Sequence, residues 1–197
     1  SWEIKEDGKV YEFKLKDGIK WHDGVEFTAG DVVYTIQAIG DPDARSPLFN
    51  VWKGIIAEEI DGHKVKITLP ENYSAFLHNA DFGIIPKHLF EKVPGRTLKV
   101  AEYNQRPVGT GPFKFEKIEE KKDYSQVYLS ANRARKEDSP FIDKIGIRTY
   151  PDEAALYEAY AKKEIMGISN ILISTMQKVS KLKDITFYET QMPRYAV

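Results

Sequence analysis

The stretch Tyr11–Tyr34, YEFKLKDGIKWHDGVEFTAGDVVY, carries the strongest structural signals in the chain. Apolar residues alternate with charged ones at its start, which predicts a strand with one buried face. These apolar residues are Tyr11, Phe13 and Leu15. Asp17-Gly18 and Asp23-Gly24 then predict two turns, because glycine accepts positive φ and aspartate bonds to the following backbone. Thr28 and Asp31 have the spacing of a capping box and precede apolar residues at helical spacing, so they predict a helix start.

This strand, double turn and helix are interpreted as a surface corner in which Trp21 and Phe27 close the end of a small core. His22 is followed directly by Asp23, which suggests an acid-base pair. Adjacent strand residues point to opposite faces of a sheet, however, so the two side chains are not expected to converge as proton transfer requires. No chemical role is therefore predicted for His22.

The composition restricts the classes of partner. A chain of 197 residues that is 42% hydrophobic can form one large domain or two small ones with a real core. The 29 Lys and Arg residues nearly balance 30 Asp and Glu residues, giving a formal net charge of -1. This balance does not favour a polyanion-binding surface, so no nucleic-acid partner is predicted. The absence of cysteine excludes disulfides, thiol nucleophiles and thiolate metal sites.

Neither a metal site nor a cofactor site is predicted. The four histidines are His22, His63, His78 and His88. No two of them have a metal-ligand spacing on one predicted helix, so a zinc site is not expected. No apolar run reaches the roughly 18 residues that a membrane helix needs, so the chain is not expected to insert into a membrane.

The remaining sequence alternates between predicted strands and helices. A hairpin is expected from Ile55–Ile60 and Lys64–Leu69, a short helix over 71–79, and an apolar strand over 82–85 that ends at Pro86. The second half is expected to contain strands at 113–115, 124–129, 142–150, 165–171 and 185–189, with helices beginning at Pro151 and spanning 174–181. Gly109-Thr110-Gly111 is not read as a phosphate loop, because no Lys-Ser/Thr or helix follows it.

Further motifs follow the opening stretch in a recognisable order. They are DPDARSP at 41–47, KITLPENYSAFL at 66–77, IIPKHLFE at 84–91, PVGTGPFKF at 107–115, Ile142–Ile145 and Pro151–Glu153. In this order they resemble the family 5 extracellular solute-binding proteins, which are the dipeptide-, oligopeptide- and nickel-binding components of bacterial and archaeal ABC transporters. The resemblance extends from Trp2 to about residue 190.

The resemblance implies a mixed α/β chain that is a fragment of a type 2 periplasmic-binding-protein-like fold. Residues 1–86 are expected to form a small β-rich extra domain, and residues 87–197 the middle portion of the first α/β lobe. The second lobe is expected to be absent. A first residue that already lies in a strand pattern also suggests that the sequence belongs to a longer chain.

The resemblance also implies ligand-binding positions. Leu48 matches a position where relatives carry an aromatic residue, and Asn79 one where relatives carry His or Arg. Together with Phe49 and His78 they are the predicted ligand-binding residues. Since Leu48 is apolar and Asn79 is uncharged, no highly charged ligand group is expected to be anchored from this side. The ligand itself stays open among peptides, nickel chelates and sugars.

The implied function is that of the substrate-binding component of an ABC importer, closing by a hinge over an oligopeptide or related small solute. The partner would be the transporter permease, and the location extracellular, either lipid-anchored at the cell surface or periplasmic. The protein is not expected to be an enzyme. A hydrolase using Asp23, Asp31 and Asp152 is an alternative, although turns and helix starts explain these carboxylates. A ligand-sensing domain of a regulator is another.

Overall fold

The computed structural model describes residues 1–169 and positions 171, 176, 177, 179, 180, 185, 186 and 188. The strands are β1 (Trp2–Lys5), β2 (Val10–Lys14), β3 (Ile56–Asp61), β4 (Lys64–Thr68), β5 (Phe113–Glu120), β6 (Ser125–Ala131) and β7 (Lys144–Thr149). The α-helices are α1 (Ala29–Gly40), α2 (Phe49–Trp52), α3 (Phe76–Asn79), α4 (Lys87–Phe90) and α5 (Glu153–Ala161). Short 3-10 helices cover Glu6–Gly8, Pro42–Ala44, Gly95–Val100, Glu102–Asn104 and Arg133–Asp138. This mixed content agrees with the predicted α/β class.

The chain divides into two compact units. The first contains residues 1–117 and 128–145, and the second contains residues 118–127 and 146–197. Within the described ranges, no helix is long and apolar enough to cross a membrane.

An antiparallel sheet with the order β1-β2-β4-β3 forms the base of the first unit. Tyr11 pairs with Ile67 and Phe13 pairs with Val65, so the apolar residues of β2 and β4 share one face. Helix α1 packs on β3 and β4. The buried core joins Tyr11, Ala29, Ile36, Ile39, Trp52, Ala57, Val65, Ile67, Leu69 and Phe76. The predicted strand and the hairpin from Ile55 to Leu69 are therefore confirmed.

The corner between β2 and α1 has the predicted turns and cap. Gly18 and Gly24 have φ values of 70° and 93°, which a side chain would disfavour. The Trp21 ring is buried and packs edge-on against Phe27, with ring centroids 5.6 Å apart. Thr28 caps α1 in a capping box with Asp31.

The Asp31 carboxylate connects three segments of the first unit. It is only 3% exposed. Its Oδ2 accepts from the Thr28 backbone N–H at 2.9 Å and from Trp21 Nε1 at 3.3 Å, and its Oδ1 accepts from the Lys87 backbone N–H at 2.8 Å. One side chain thus fixes the helix start, the double turn and the beginning of α4. The capping role is confirmed, and the two other bonds are additional.

The C-terminal end of α4 is also hydrogen-bonded to α1. The Tyr34 hydroxyl donates to the Phe90 carbonyl at 2.7 Å. Burial raises the pKa of the Tyr34 phenol above its ordinary value, and the nearby Glu91 carboxylate adds to this rise. The phenol therefore stays protonated at neutral pH and keeps its donor role.

The Gly-Thr-Gly stretch is held by hydrogen bonds within the first unit. His22 Nδ1 accepts from the Gly109 N–H at 3.2 Å, and Nε2 lies 3.0 Å from the Gly111 carbonyl. The same carbonyl accepts from Asn132 Nδ2 at 3.1 Å. Because one ring nitrogen accepts and the other faces an acceptor, the imidazole is the neutral tautomer with its proton on Nε2. His22 therefore has a structural role at this stretch.

The second sheet has the order β5-β6-β7. Its strands overlap the predicted strands at 113–115, 124–129 and 142–150. The helix predicted to begin at Pro151 is present as α5, which begins at Glu153. The Asp152 side chain accepts from the Ala155 N–H at 2.8 Å and so caps this helix.

The predicted strand over 82–85 is wrong. No strand within residues 1–169 pairs with this segment. The Ile85 N–H donates instead to the Thr35 hydroxyl at 3.1 Å. Phe82 instead packs edge-on against Trp52, with ring centroids 4.6 Å apart. The apolar run is therefore a buried connection, which periodicity alone cannot distinguish from a strand.

Two other expectations also differ from the structure. The helix expected over 71–79 is shorter and spans only Phe76–Asn79. The residues at 165–169 are not a strand, although one was expected to begin there. The helix predicted over 174–181 and the strand predicted over 185–189 lie only partly within the described residues. Positions 176, 177 and 179 are helical, and positions 185, 186 and 188 are not in a strand.

The division at residue 86 into a small extra domain and a first lobe stays a prediction. The first compact unit continues past residue 86, because α4 is bound to α1 as described above. The chain instead passes from one compact unit to the other after residues 117, 127 and 145. These limits describe packing within this chain, whereas the predicted division concerns the lobes of a longer protein.

A substitution at Gly95 tests how tightly the segment at 41–44 packs on the 3-10 helix at 95–100. A Cβ added at Gly95 would overlap the Asp41 carboxylate, whose other oxygen accepts from the Asp43 N–H at 2.9 Å. We expect Gly95→Ala to lower the free energy of unfolding by about 1–2 kcal/mol, because the loop must shift to admit the methyl group. Urea denaturation followed by circular dichroism measures this change.

Gly62→Ala is the matched control for this substitution. A Cβ at Gly62 meets no atom within 4 Å, so this variant is expected to be neutral or slightly stabilising. Asp41→Ala should cost less stability in the Gly95→Ala background than in the wild-type chain, because it also removes the overlapping group there. Equal stability of Gly95→Ala and the wild-type chain would show that the loop is not closely packed.

Candidate functional site

An open cleft of about 700 Å³ lies on the first compact unit. Three connecting segments enclose it, at 44–48, 82–85 and 98–104, together with one side of α1. Its apolar surface comes from Ala38, Ile39, Ala44, Pro47, Leu48, Phe82, Ile85, Phe90 and Leu98. Polar groups come from Thr35, Arg45, Ser46, Lys99 and Asn104. A concave, mainly apolar surface with a few polar side chains is typical of a small-molecule site.

Local hydrogen bonds hold the loop that carries Leu48. Asp41 caps the 3-10 helix that follows it by accepting from the Asp43 N–H. Arg45 then has a left-handed backbone with φ 50° and ends this 3-10 helix. The Ser46 Oγ accepts from the Leu48 N–H at 3.2 Å. Such short side chain to backbone bonds define turns, so Leu48 is presented from an ordered loop.

Leu48 is the one predicted ligand-binding residue that lines this cleft. Phe49 is half-buried at the start of α2, with Lys53 Nζ 6.0 Å from its ring centroid. His78 is exposed on α3, and Asn79 Nδ2 donates to the Tyr73 hydroxyl at 2.9 Å. The ligand roles of all four residues stay predictions.

The segments that carry these residues are joined through one buried ring. Trp52, at the end of α2, packs against Phe76 of α3 with ring centroids 5.5 Å apart. It also packs against Phe82, which lines the cleft. The positions of α2, α3 and the cleft wall therefore depend on the same side chain.

Sequence reasoning missed most of the residues that line the cleft. Arg45, Phe82, Lys99 and Asn104 were not predicted as site residues. The glycine and prolines around 40–47 indicated an irregular loop, which is the one local signal that could have directed attention to Arg45. Lys99 and Asn104 are more than fifty residues further along the chain and reach the cleft only through tertiary packing.

The carboxylates of the hydrolase alternative have structural roles. Asp23 Oδ2 lies 2.7 Å from His88 Nε2 at the surface, Asp31 is buried with three donors, and Asp152 caps α5. No carboxylate in the described part of the chain lines the cleft itself. Among the described residues, no group of three or more His, Cys, Asp or Glu side chains could hold a metal ion.

The second compact unit has a cavity of its own, of about 750 Å³, bordered by β7, the start of α5 and residues 164–169. Its cation, Arg148, already has partners within that unit. The guanidinium lies 4.4 Å from the Tyr124 ring centroid, and its Nε donates to Gln126 Oε1 at 3.0 Å. The cleft on the first unit is therefore the better candidate for a ligand.

The fold is that of part of a periplasmic binding protein. The structure of the ABC transporter substrate-binding protein CtaP from Listeria monocytogenes is similar with a TM-score of 0.77 and 35% identity, over 92% of this chain and 37% of that chain. NikZ from Campylobacter jejuni, solved in complex with Ni(L-His), is similar with a TM-score of 0.74 and 36% identity, over 84% of this chain and 32% of that chain.

The sequence comparisons identify the family. A sequence-family model described as "Bacterial extracellular solute-binding proteins, family 5 Middle" matches residues 1–197, and the chain belongs to this family. The oligopeptide-binding protein AppA of Bacillus subtilis (strain 168) is 31% identical over 185 residues, which are 91% of this chain and 34% of that protein. The chain thus spans about a third of the length of these relatives.

These comparisons confirm the resemblance and the fold class inferred from the sequence. The family and the relatives are solute-binding proteins, not enzymes. They give no support to a hydrolase or to the sensing domain of a regulator.

Proposed function

We propose that this chain is part of the substrate-binding component of an ABC importer for peptides or a related small solute. The observation that carries the proposal is the family match over all 197 residues. Its relatives include an oligopeptide-binding protein and a protein crystallised with nickel and histidine. The open cleft beside Leu48 supports the proposal, because it has a concave apolar surface and lacks carboxylates.

The proposed mechanism is closure of two lobes over the solute. A ligand that contacts both lobes only in the closed form shifts the population toward that form. The transporter permease would then recognise the closed protein. Leu48, Phe49, His78 and Asn79 would contribute to one wall, and a second lobe of the longer protein would supply the other. Residues 1–86 and 87–197 would belong to the small extra domain and the first lobe.

The proposed location is outside the cytoplasmic membrane. The family is described as extracellular. Attachment to the cell surface through a lipid and residence in the periplasm are the two arrangements that we propose for the full-length protein.

Thermal denaturation of the full-length protein with a library of di- to hexapeptides tests this function. A ligand that binds only the folded form raises the melting temperature. We expect such a rise without turnover of the peptides. Leu48→Ala should reduce it, whereas Val51→Ala, on the exposed side of α2, should leave it unchanged. Hydrolysis of the peptides, or no rise with any peptide or small solute, would contradict the proposal.

The 197-residue chain by itself is expected to bind peptides only weakly, in the millimolar range. One wall of a cleft desolvates only part of a ligand, while the loss of translational freedom on binding is unchanged. Isothermal calorimetry with the same peptide library measures this affinity. A micromolar dissociation constant would mean that the chain contains a complete site.

A further inference from the structure

The described residues that line the cleft on the first compact unit carry charge of one sign only. Of the residues that line it, Arg45 and Lys99 are charged, and both are cations. The whole chain has a formal net charge of -1, so this local excess does not reflect a generally basic protein. The two residues come from different segments, the loop after α1 and the 3-10 helix Gly95–Val100. Their convergence is therefore a product of the tertiary fold.

Neither cation is neutralised within the described part of the chain. Arg45 and Lys99 form no ion pair, side-chain hydrogen bond or ring contact with another described residue. Other cations of the chain do have partners, such as Lys5 with Glu12 at 2.7 Å and Lys66 with Glu58 at 3.5 Å. Arg45 is moreover an arginine in a left-handed conformation that glycine or asparagine adopts more easily. An uncompensated cation in a strained position suggests a functional reason for its side chain.

The neutral polar groups of the cleft also favour a hydrogen-bond acceptor. The Ser46 Oγ accepts from the Leu48 N–H, so its own hydroxyl proton remains free to donate outward. The Asn104 Nδ2 donates one of its two hydrogens to the Leu98 carbonyl at 2.7 Å, so the second remains a donor. Below them, Ile39 and Phe90 are buried and Leu48 and Phe82 are half-buried, which gives the cleft an apolar floor. The site thus combines donors and positive charge with an apolar surface.

We propose that this cleft binds the carboxylate end of a small solute with an apolar body, with Arg45 and Lys99 facing the carboxylate and Leu48 and Phe82 packing on the body. The proposal rests on the proposed solute-binding function and names the chemical class of its ligand. It differs from the expectation that no highly charged group is anchored from this side. That expectation considered only Leu48 and Asn79, and it did not include Arg45 and Lys99.

Two probes of equal size and shape test the charge requirement: N-acetyl-L-phenylalanine, a carboxylate, and N-acetyl-L-phenylalaninamide, its neutral analogue. Heteronuclear NMR titration of the 197-residue chain detects even millimolar binding. We expect the acid to shift the signals of Leu48 and Phe82 and to bind about tenfold more tightly than the amide, since two cations face one anion. The preference should decrease as the salt concentration rises, because both cations are accessible to solvent.

Charge variants assign the preference to these two residues. In the double variant Arg45→Gln and Lys99→Gln, the ratio of the two affinities is expected to fall to about one. Arg96→Gln is the matched control, because Arg96 is an exposed cation in the same 3-10 helix as Lys99 but does not line the cleft. Arg45→Lys keeps the charge and should keep most of the preference. All substituted side chains are exposed, and dispersed NMR spectra verify that each variant is folded.

Each outcome of the titration supports or overturns the proposal. Equal affinities in the wild-type chain, a preference that survives in the double variant, or no binding of the acid up to its solubility limit would each overturn it. If the full-length protein binds peptides while the ratio is one, the solute-binding function stands and the carboxylate assignment fails. If the acid is preferred as expected while the full-length protein binds no solute, the assignment stands and the proposed function fails.

Discussion

Asp31→Ala is expected to lower the free energy of unfolding by about 3–4 kcal/mol, one of the two largest effects of any single substitution that we predict. The carboxylate is buried and accepts hydrogen bonds from Trp21 Nε1 and from the backbone N–H groups of Thr28 and Lys87. Its removal leaves these three donors in a place that water reaches poorly. Each lost hydrogen bond to a charged acceptor contributes about 1.5–3 kcal/mol, and local relaxation recovers part of the sum.

Urea denaturation followed by circular dichroism measures the effect of Asp31→Ala. Asp43→Ala is the control, because Asp43 is an exposed carboxylate in the first turn of a helix and should contribute less than about 1 kcal/mol. Asp31→Asn separates charge from shape: it keeps the size of the side chain but turns an amide group toward N–H donors, so it should also be clearly destabilising. A loss from Asp31→Ala no greater than that from Asp43→Ala would refute the connecting role of this carboxylate.

Trp52→Ala is expected to lower the free energy of unfolding by about 3–5 kcal/mol. The Trp52 side chain is 1% exposed and packs between Phe76 and Phe82. Alanine would leave a cavity at the point where α2, α3 and the cleft wall meet. Because Phe82 also lines the cleft, we expect the variant to lose the affinity of the cleft for N-acetyl-L-phenylalanine as well.

Two substitutions isolate the contribution of burial at Trp52. Trp2→Ala removes the same side chain from β1, where it is 57% exposed, and should cost less than about 1 kcal/mol. Trp52→Phe should cost less than Trp52→Ala, because it fills more of the space and removes an indole N–H that has no hydrogen-bond partner among the described residues. If denaturation midpoints of Trp52→Ala and Trp2→Ala are similar, the ring does not hold the three segments together.

The predictions that succeeded depend on contacts between neighbours in the sequence. Thr28 and Asp31 form the expected capping box because both partners lie within one helical turn. The hairpin of β3 and β4 follows from alternation on both sides of Asp61-Gly62, with residues opposed across a short turn. The prediction of a strand over 82–85 failed because an apolar segment becomes a strand only when another strand is available to pair with it.

At the candidate site, too, the sequence predicted only what a local motif carries. Leu48 was predicted from its position in a family motif, and it lines the cleft. His78 and Asn79 came from the same resemblance and lie outside the cleft lining. Arg45 and Lys99 carry no local pattern that would pair them, since a lone arginine and a lone lysine in polar segments are ordinary surface residues.

Periodicity, turn residues and capping pairs in the amino-acid chain were enough to predict most of its strands and its first helix, because these signals act between residues a few positions apart. The order of its motifs carried the resemblance to the family. Packing in three dimensions alone set the partners of Asp31, the ring cluster around Trp52 and the meeting of two cations at one cleft. Such contacts join residues that are tens of positions apart. Their energies arise only when the core brings the segments together, so no local pattern records them in advance.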